Sequence, residues 1–90
     1  MKTRSRVTVK GRVQNVGFRA FIQNKSNEFS VKGWVRNTEN DDVEAVFEGD
    51  TQNVQRMLKA CEEGPRAAQV EKVDAIEQAY KNEFEDFNIL

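Results

Sequence analysis

The sequence predicts an α+β sandwich in which two helices cover one face of a mixed, mainly antiparallel β-sheet. Three observations support this fold class. Several short segments alternate apolar and polar residues, as strands with one buried face do. Two longer segments carry apolar residues at helical spacing, each on a single stripe. The predicted order is βαββαβ with a final short strand, which is typical of ferredoxin-like folds built from two strand–helix–strand units.

The first strand–helix–strand unit is predicted from a change in the spacing of the apolar residues. Val7, Val9 and Val13 lie on one side of an alternating segment. The spacing then becomes helical, with apolar residues at Phe18, Phe21, Ile22 and Phe29. We therefore expect a strand at 5–13, a helix at 18–29 and a strand at 31–37.

The second unit follows a polar turn at 38–42. Its helix begins with Asp50 or Thr51 as the cap, and Gly64-Pro65 ends it. The apolar stripe of this helix comprises Val54, Met57, Leu58 and Cys61. The other predicted elements are strands at 43–48, 70–77 and 86–90 and a polar connection at 80–85. The strand at 70–77 breaks strict alternation, which predicts a bulge, and the sheet face away from the helices should be half exposed, with Trp34 on it.

Composition limits the class of protein. Ninety residues predict one domain spanning 1–90, and this size favours a monomer. The net charge is −1 and the basic residues are dispersed, so we expect no nucleic-acid partner. We also expect no membrane partner, since no apolar run has spanning length. The single cysteine, Cys61, excludes an internal disulfide, and no signal peptide follows the basic N-terminus, which makes the cytoplasm the expected location.

The junction between the first strand and the first helix predicts an anion site. The first N–H groups of a helix have no internal partner, and the helix dipole adds positive charge there. Gly17 permits a backbone turn in which successive N–H groups converge. Arg19 adds a permanently charged fork that fits two phosphoryl oxygens. The spacing alone also fits an ordinary glycine junction with a solvated arginine.

Asn37 is expected to lie beside this junction because of chain topology. Two strands joined by a crossover helix are parallel, so their carboxyl ends share one edge of the sheet. The first strand ends at the junction and the second ends at Asn37. Ligands of α/β sheets commonly bind at that edge. The alternative is that Asn37 merely caps the turn that follows it.

The absence of certain residue types narrows the chemistry. The chain has no histidine, and no cluster of residues has metal-ligand spacing, so no metal site is expected. Neither the segment 11–19 nor the segment 33–37 contains a carboxylate, which leaves no evident general acid. A carboxyl–phosphate anhydride releases a carboxylate whose conjugate acid has a pKa of about 4–5, and it needs no such acid. The residues therefore favour hydrolysis of acyl phosphates over alkyl phosphates.

Three segments together resemble the acylphosphatase family. They are Gly11-Arg12-Val13-Gln14-Asn15-Val16-Gly17-Phe18-Arg19, Gly33-Trp34-Val35-Arg36-Asn37 and Gly64-Pro65-Arg66-Ala67-Ala68-Gln69-Val70. The resemblance implies a ferredoxin-like fold, no cofactor, and hydrolysis of small acyl phosphates such as acetyl, carbamoyl or glyceroyl phosphate to inorganic phosphate. It also implies that Arg19 binds phosphate and that Asn37 binds water. One departure is Asn15, where the family usually has glycine; asparagine tolerates the same left-handed backbone.

These arguments combine into one hypothesis. The phosphoryl group binds the N–H groups of residues 14 to 19 together with the Arg19 side chain, and Asn37 orients a water for in-line attack. The phosphate-binding residues are therefore predicted to be Gln14, Asn15, Val16, Gly17, Phe18 and Arg19, and the catalytic residues Arg19 and Asn37. The main alternative is a module that binds phosphate or carbamoyl phosphate without turnover. An RNA-binding sheet shares the element order but lacks the aromatic platform and positive charge.

Overall fold

The computed structural model describes residues 1–90 and contains five strands and two helices. In chain order they are β1 (Lys2–Arg12), α1 (Phe18–Glu28), β2 (Lys32–Asn37), β3 (Val43–Asp50), α2 (Thr51–Glu63), β4 (Gln69–Gln78) and β5 (Phe87–Ile89). The predicted order and the ferredoxin-like α+β fold class are confirmed. Neither helix is long and apolar enough to cross a membrane.

The strands form one sheet in the order β4-β1-β3-β2-β5. Both β1 and β2 pair with β3 in the antiparallel sense, so β1 and β2 run parallel to each other with β3 between them. The β2–β5 pair is the one parallel pair of neighbours, and the sheet is otherwise antiparallel. The carboxyl ends of β1, β2 and β5 therefore lie along the same edge of the sheet, as predicted for the first two.

The hydrophobic core lies between the sheet and the two helices. The inward faces of the strands alternate as the sequence indicates, and each helix contributes its apolar stripe. The largest fully buried side chains of this core are Phe18, Phe47, Ile22 and Met57. Cys61 is also buried, which confirms its interpretation as a core residue. This packing fixes the start of α1 against the end of β1.

Two elements, β1 and β3, differ from prediction by more than one residue at one end, because pairing extends polar segments. β1 begins at Lys2 rather than residue 5, since its first residues pair with the end of β3, which itself continues to Asp50. Asp50 occupies the N-cap position of α2, but its side chain makes no capping hydrogen bond. It lies instead 3.2 Å from Lys2 Nζ. Gly64 ends α2 as predicted, with φ 66°.

The bulge predicted in β4 is present and explains the irregular apolar spacing. Lys10 of β1 lies opposite Lys72, whereas the next residue, Gly11, lies opposite Val70. Glu71 is therefore the extra residue of the bulged strand. Because of it, Val70 and Val73 both pack against the core although they are three residues apart.

The sheet face away from the helices is more covered than the sequence predicts. The connection before β5 contacts this face, where the N–H groups of Lys81 and Glu83 donate to the Glu48 carboxylate at 2.8 and 3.2 Å. On this face Glu48 is only 3% exposed, and Val46 is only 1% exposed. Trp34 lies opposite Val46 on this face, as expected, and is half-buried. The prediction of a half-exposed face was wrong at the centre of the sheet. The connecting segment is held there by hydrogen bonds from its backbone N–H groups, and no sequence pattern indicates such bonds.

Candidate active site

The loop between β1 and α1 turns sharply through two residues with left-handed backbone. Asn15 has φ 61° and Gly17, the N-cap of α1, has φ 77°. Few residue types other than glycine and asparagine adopt this conformation readily. A turn of this kind can aim successive N–H groups at one point, which is how backbone nests bind anions. The sequence-based expectation for Asn15 is thus met in the backbone.

The N–H groups of residues 14–20 have no acceptor within the chain. The first helical hydrogen bond runs from the N–H of Phe21 to the carbonyl of Gly17, at 3.0 Å. Every N–H before it in the loop and first turn lacks a backbone or side-chain partner. Free donors at a helix start, with the helix dipole behind them, favour a bound anion. We call the N–H groups of residues 14–19 the amide cradle.

One cavity joins part of the amide cradle to the end of β2. It has a volume of about 220 Å³ and is lined by Val13, Asn15, Gly17, Phe18, Arg19, Ala20, Asn37 and Ile89. The structure thus brings the two predicted catalytic residues together. Two predicted phosphate-binding residues, Gln14 and Val16, do not line the cavity. Val16 packs against the core, and the Gln14 side chain binds the β2–β3 turn.

Arg19 is a cation without a partner. Its side chain forms no ion pair and no hydrogen bond within the chain, although the residue is partly buried beside the cavity. By contrast, Arg4, Arg6 and Arg36 each bind a glutamate on the opposite face of the sheet. A guanidinium held free of carboxylates remains available to bind two oxygens of an anion.

The side-chain amide of Asn37 is also free. Asn37 is the last residue of β2, is partly buried, and makes no side-chain hydrogen bond within the chain. The turn after it is closed by Thr38, whose Oγ1 accepts hydrogen bonds from the N–H groups of Asn40 and Asp42. The alternative in which Asn37 caps its own turn is therefore wrong. Asn37 lines the cavity instead, and its side-chain donor and acceptor are unpaired.

The cavity contains no titratable group besides Arg19. No aspartate, glutamate or cysteine lines it, and the chain has no histidine. Burial, followed by the charge of Glu62, raises the pKa of the Cys61 thiol to about 12, so it is no nucleophile. No group of three metal-ligating side chains is present. The site can therefore bind an anion and a water, but it offers no protein acid or base.

Sequence reasoning missed the cavity wall formed by Val13, Ala20 and Ile89. Ile89 could have been found from topology, since it ends a strand that runs parallel to β2. The contacts of Gln14 could not have been found from the sequence, because both acceptors are backbone carbonyls and any residue type supplies those.

A family model described as Acylphosphatase matches residues 5–89 of the chain. The chain belongs to the acylphosphatase family. An acylphosphatase of Syntrophus aciditrophicus (strain SB) is 48% identical over 90 residues, which cover 100% of this chain and 94% of the relative. An acylphosphatase structure from Coxiella burnetii matches with a TM-score of 0.93 and 34% identity, over 99% of this chain and 93% of that one. The structure of acylphosphatase from Bacillus subtilis matches with a TM-score of 0.94 and 31% identity, over 100% of this chain and 99% of that one.

Family membership confirms the resemblance predicted from the sequence segments, and it makes the chain an acylphosphatase enzyme. Its substrate is an acyl phosphate and its product is inorganic phosphate.

Proposed function

We propose that the enzyme hydrolyses small acyl phosphates in this cavity, with the phosphoryl group bound by the amide cradle and Arg19 and the attacking water positioned by Asn37. One observation carries the proposal. A single cavity unites an unpaired guanidinium, an unpaired side-chain amide and the start of a helix whose N–H groups are free. These are the groups that bind a tetrahedral oxyanion and a polar nucleophile.

The amide cradle and Arg19 stabilise charge on the phosphoryl oxygens. Phosphoryl transfer needs positioning and electrostatic stabilisation more than covalent participation by the protein. Backbone N–H groups are fixed by the fold, so they cost no reorganisation when charge develops. The planar guanidinium adds two parallel hydrogen bonds and a full positive charge.

Asn37 binds the water that attacks phosphorus opposite the leaving carboxylate. Its amide oxygen accepts one hydrogen bond from the water, which leaves an oxygen lone pair to form the new P–O bond. The proton of the water passes to a phosphoryl oxygen of the substrate, since no protein base lines the cavity. The P–O bond to the acyl group breaks, and its electron pair leaves on the carboxylate, which is stable at neutral pH without protonation.

The dimensions of the site favour small substrates and a single copy of the chain. A cavity of about 220 Å³ holds a phosphoryl group with a short acyl group such as acetyl, carbamoyl or glyceroyl. The length of 90 residues supports an enzyme that acts as a monomer built from one domain at 1–90. The free, buried Cys61 fits a reducing compartment such as the cytoplasm.

Substitution of the two side chains tests these roles. We expect Arg19→Ala and Asn37→Ala each to lower kcat/KM for acetyl phosphate by roughly 10²–10³-fold, the usual loss when one preorganised donor is removed. Arg19→Ala should also weaken competitive inhibition by inorganic phosphate, whereas Asn37→Ala should act mainly on kcat. Release of inorganic phosphate under initial-rate conditions measures both effects.

Two variants serve as matched controls. Arg12→Ala removes an exposed arginine of the same segment that does not line the cavity, and Asn40→Ala removes an exposed asparagine of the neighbouring turn. Both should hydrolyse acetyl phosphate within about twofold of the parent rate. If Arg19→Ala or Asn37→Ala did the same while folded, the corresponding role would be wrong.

A further inference from the structure

We propose that Gln14 is a positioning residue whose side-chain amide holds the amide cradle at a fixed distance from Asn37. This inference rests on the proposed function, because it assumes that the cradle binds the phosphoryl group and that Asn37 binds water. It assigns the side chain of Gln14 a task other than contact with phosphate. The residue lies at the first position of the cradle, immediately before the left-handed Asn15.

Both hydrogens of the Gln14 side-chain amide form hydrogen bonds to the β2–β3 turn. Gln14 Nε2 donates to the carbonyl of Thr38 and to the carbonyl of Asp42, each at 2.9 Å. Thr38 follows Asn37 directly in the chain, and Asp42 precedes the first residue of β3. The amide therefore bridges the loop after β1 and both ends of the β2–β3 turn.

The turn that Gln14 binds is itself well ordered by hydrogen bonds. The Thr38 N–H donates to the Asp42 carbonyl at 2.9 Å, and Thr38 Oγ1 accepts from the Asp42 N–H at 3.1 Å. A bridge to this turn thus reaches a rigid unit rather than a mobile side chain. Motion of the cradle relative to Thr38 would break hydrogen bonds at both carbonyls.

The bridge is needed because the sheet alone couples the two halves of the site only indirectly. β1 and β2 are not neighbours, since β3 lies between them. Asn37 is held by its pairing with Val43 at the end of the β2–β3 ladder, whereas the cradle follows β1 and has no strand partner of its own. A misplacement of about 1 Å in a site of this kind can lower the rate by roughly 10²-fold.

Replacement of Gln14 by methionine tests the bridge, since methionine keeps the length of the side chain without its donors. We expect Gln14→Met to lower kcat for acetyl phosphate by roughly 10–100-fold, within the loss attributed to misplacement. The inhibition constant of inorganic phosphate should change by less than about twofold, because the cradle and Arg19 remain. Gln23→Met is the matched control: Gln23 Nε2 donates to the Phe87 carbonyl at 3.1 Å, outside the cavity lining. Its kcat should stay within about twofold.

A double variant separates positioning of Asn37 from a general loss of structure. If Gln14 acts through Asn37, Gln14→Met should lower kcat by less than about threefold in the Asn37→Ala background. The effects of two groups in one network are coupled and do not add. Equal losses in both backgrounds, or weakening of phosphate inhibition as large as the fall in kcat, would overturn the proposal. Gln14→Ala repeats the test should the methionine variant fail to fold.

The proposed function fails by a different result. If Asn37→Ala alone left hydrolysis at the parent rate, Asn37 would not position water, whatever the effect of Gln14. If instead Asn37→Ala lost activity and Gln14→Met retained the parent kcat, only the inference about Gln14 would fall.

Discussion

At the scale of single residues, backbone conformation decides which side chains the loop after β1 accepts. Asn15 has φ 61° and Gly17 has φ 77°. At Gly17 an added Cβ would meet no atom within 4 Å, so only the backbone angle restricts that position. The same principle accounts for Asn15, because its short polar side chain tolerates the left-handed region better than other non-glycine residues do. The amide cradle therefore depends on two residues that supply shape rather than charge.

Two substitutions at Asn15 test this account. We expect Asn15→Gly to change the free energy of unfolding by less than about 1 kcal/mol, since glycine adopts the same conformation at no steric cost. Asn15→Val should destabilise by about 1–2 kcal/mol, because a β-branched residue is disfavoured at positive φ. Urea unfolding measures both. Equal stability of the two variants would contradict the role of backbone conformation.

Catalysis should follow the same ranking. The glycine variant keeps the turn, so its kcat/KM should stay within a few-fold of the parent. The valine variant shifts the N–H groups of the cradle and should lose at least about tenfold, consistent with the sensitivity of such sites to misplacement. Initial rates with acetyl phosphate report both values.

At the scale of elements, the pairing of β2 with β3 leaves no room for a side chain at Gly33. Gly33, at the start of β2, has φ 142°, and a Cβ there would lie 1.8 Å from the carbonyl oxygen of Val46 in β3. No flexible side chain can move to relieve this contact, because the clashing atom is backbone. The glycine of the second family segment is thus explained by strand packing rather than by chemistry.

Gly33→Ala should therefore destabilise the protein severely, by about 3 kcal/mol or more, since both the backbone angle and the β2–β3 pairing must change. Gly49→Ala is the matched control. An added Cβ at Gly49 would meet its nearest neighbour, the Ser30 carbonyl oxygen, at an ordinary 3.6 Å, and the expected loss is below about 1 kcal/mol. Thermal and urea unfolding compare the two. A Gly33→Ala protein as stable as Gly49→Ala would show that β2 can move without cost.

At the scale of the whole molecule, one carboxylate binds the connection between β4 and β5 (residues 79–86) to the outer face of the sheet. Glu48 accepts hydrogen bonds from the N–H groups of Lys81 and Glu83 and from the Arg4 guanidinium. Burial alone would raise the pKa of Glu48, but these three donors outweigh it and lower the pKa below its ordinary value. The connection thereby positions β5, and with it the cavity residue Ile89.

Stability should consequently fall in acid. A carboxyl whose pKa is lowered by folding stabilises the native state above its unfolded pKa, about 4.3 for glutamate, and this contribution disappears as the pH falls through the lower folded pKa. We expect thermal unfolding from pH 7 to 2 to show this loss below about pH 4.3. Glu48→Gln should lose about 1–3 kcal/mol at pH 7, through its hydrogen bonds to charged and buried groups, and should show a weaker acid dependence.

Glu39→Gln provides the comparison, because Glu39 is exposed in the β2–β3 turn and forms no ion pair. Its acid profile should follow that of the parent protein. An identical profile for Glu48→Gln and Glu39→Gln would mean that the Glu48 hydrogen bonds do not contribute to stability.

The sequence by itself determined the fold class, the order of the elements and the neighbourhood of Arg19 and Asn37. It did so because apolar periodicity reports which face of an element is buried, and because a crossover connection makes two strands parallel. Even the bulge in β4 could be inferred from the irregular spacing of Val70 and Val73. The family resemblance added the assignment of the chemistry.

Only the tertiary structure decided which polar groups are paired and which are free. Arg19 and Arg36 are the same residue type, yet Arg36 is bound to Glu44 whereas Arg19 has no partner, and no local pattern distinguishes them. The bridge from Gln14 and the fastening of the connection at Glu48 likewise join residues distant in the chain. Hydrogen bonds to backbone groups leave no periodicity in the sequence, because every residue type carries a carbonyl and almost every type an N–H.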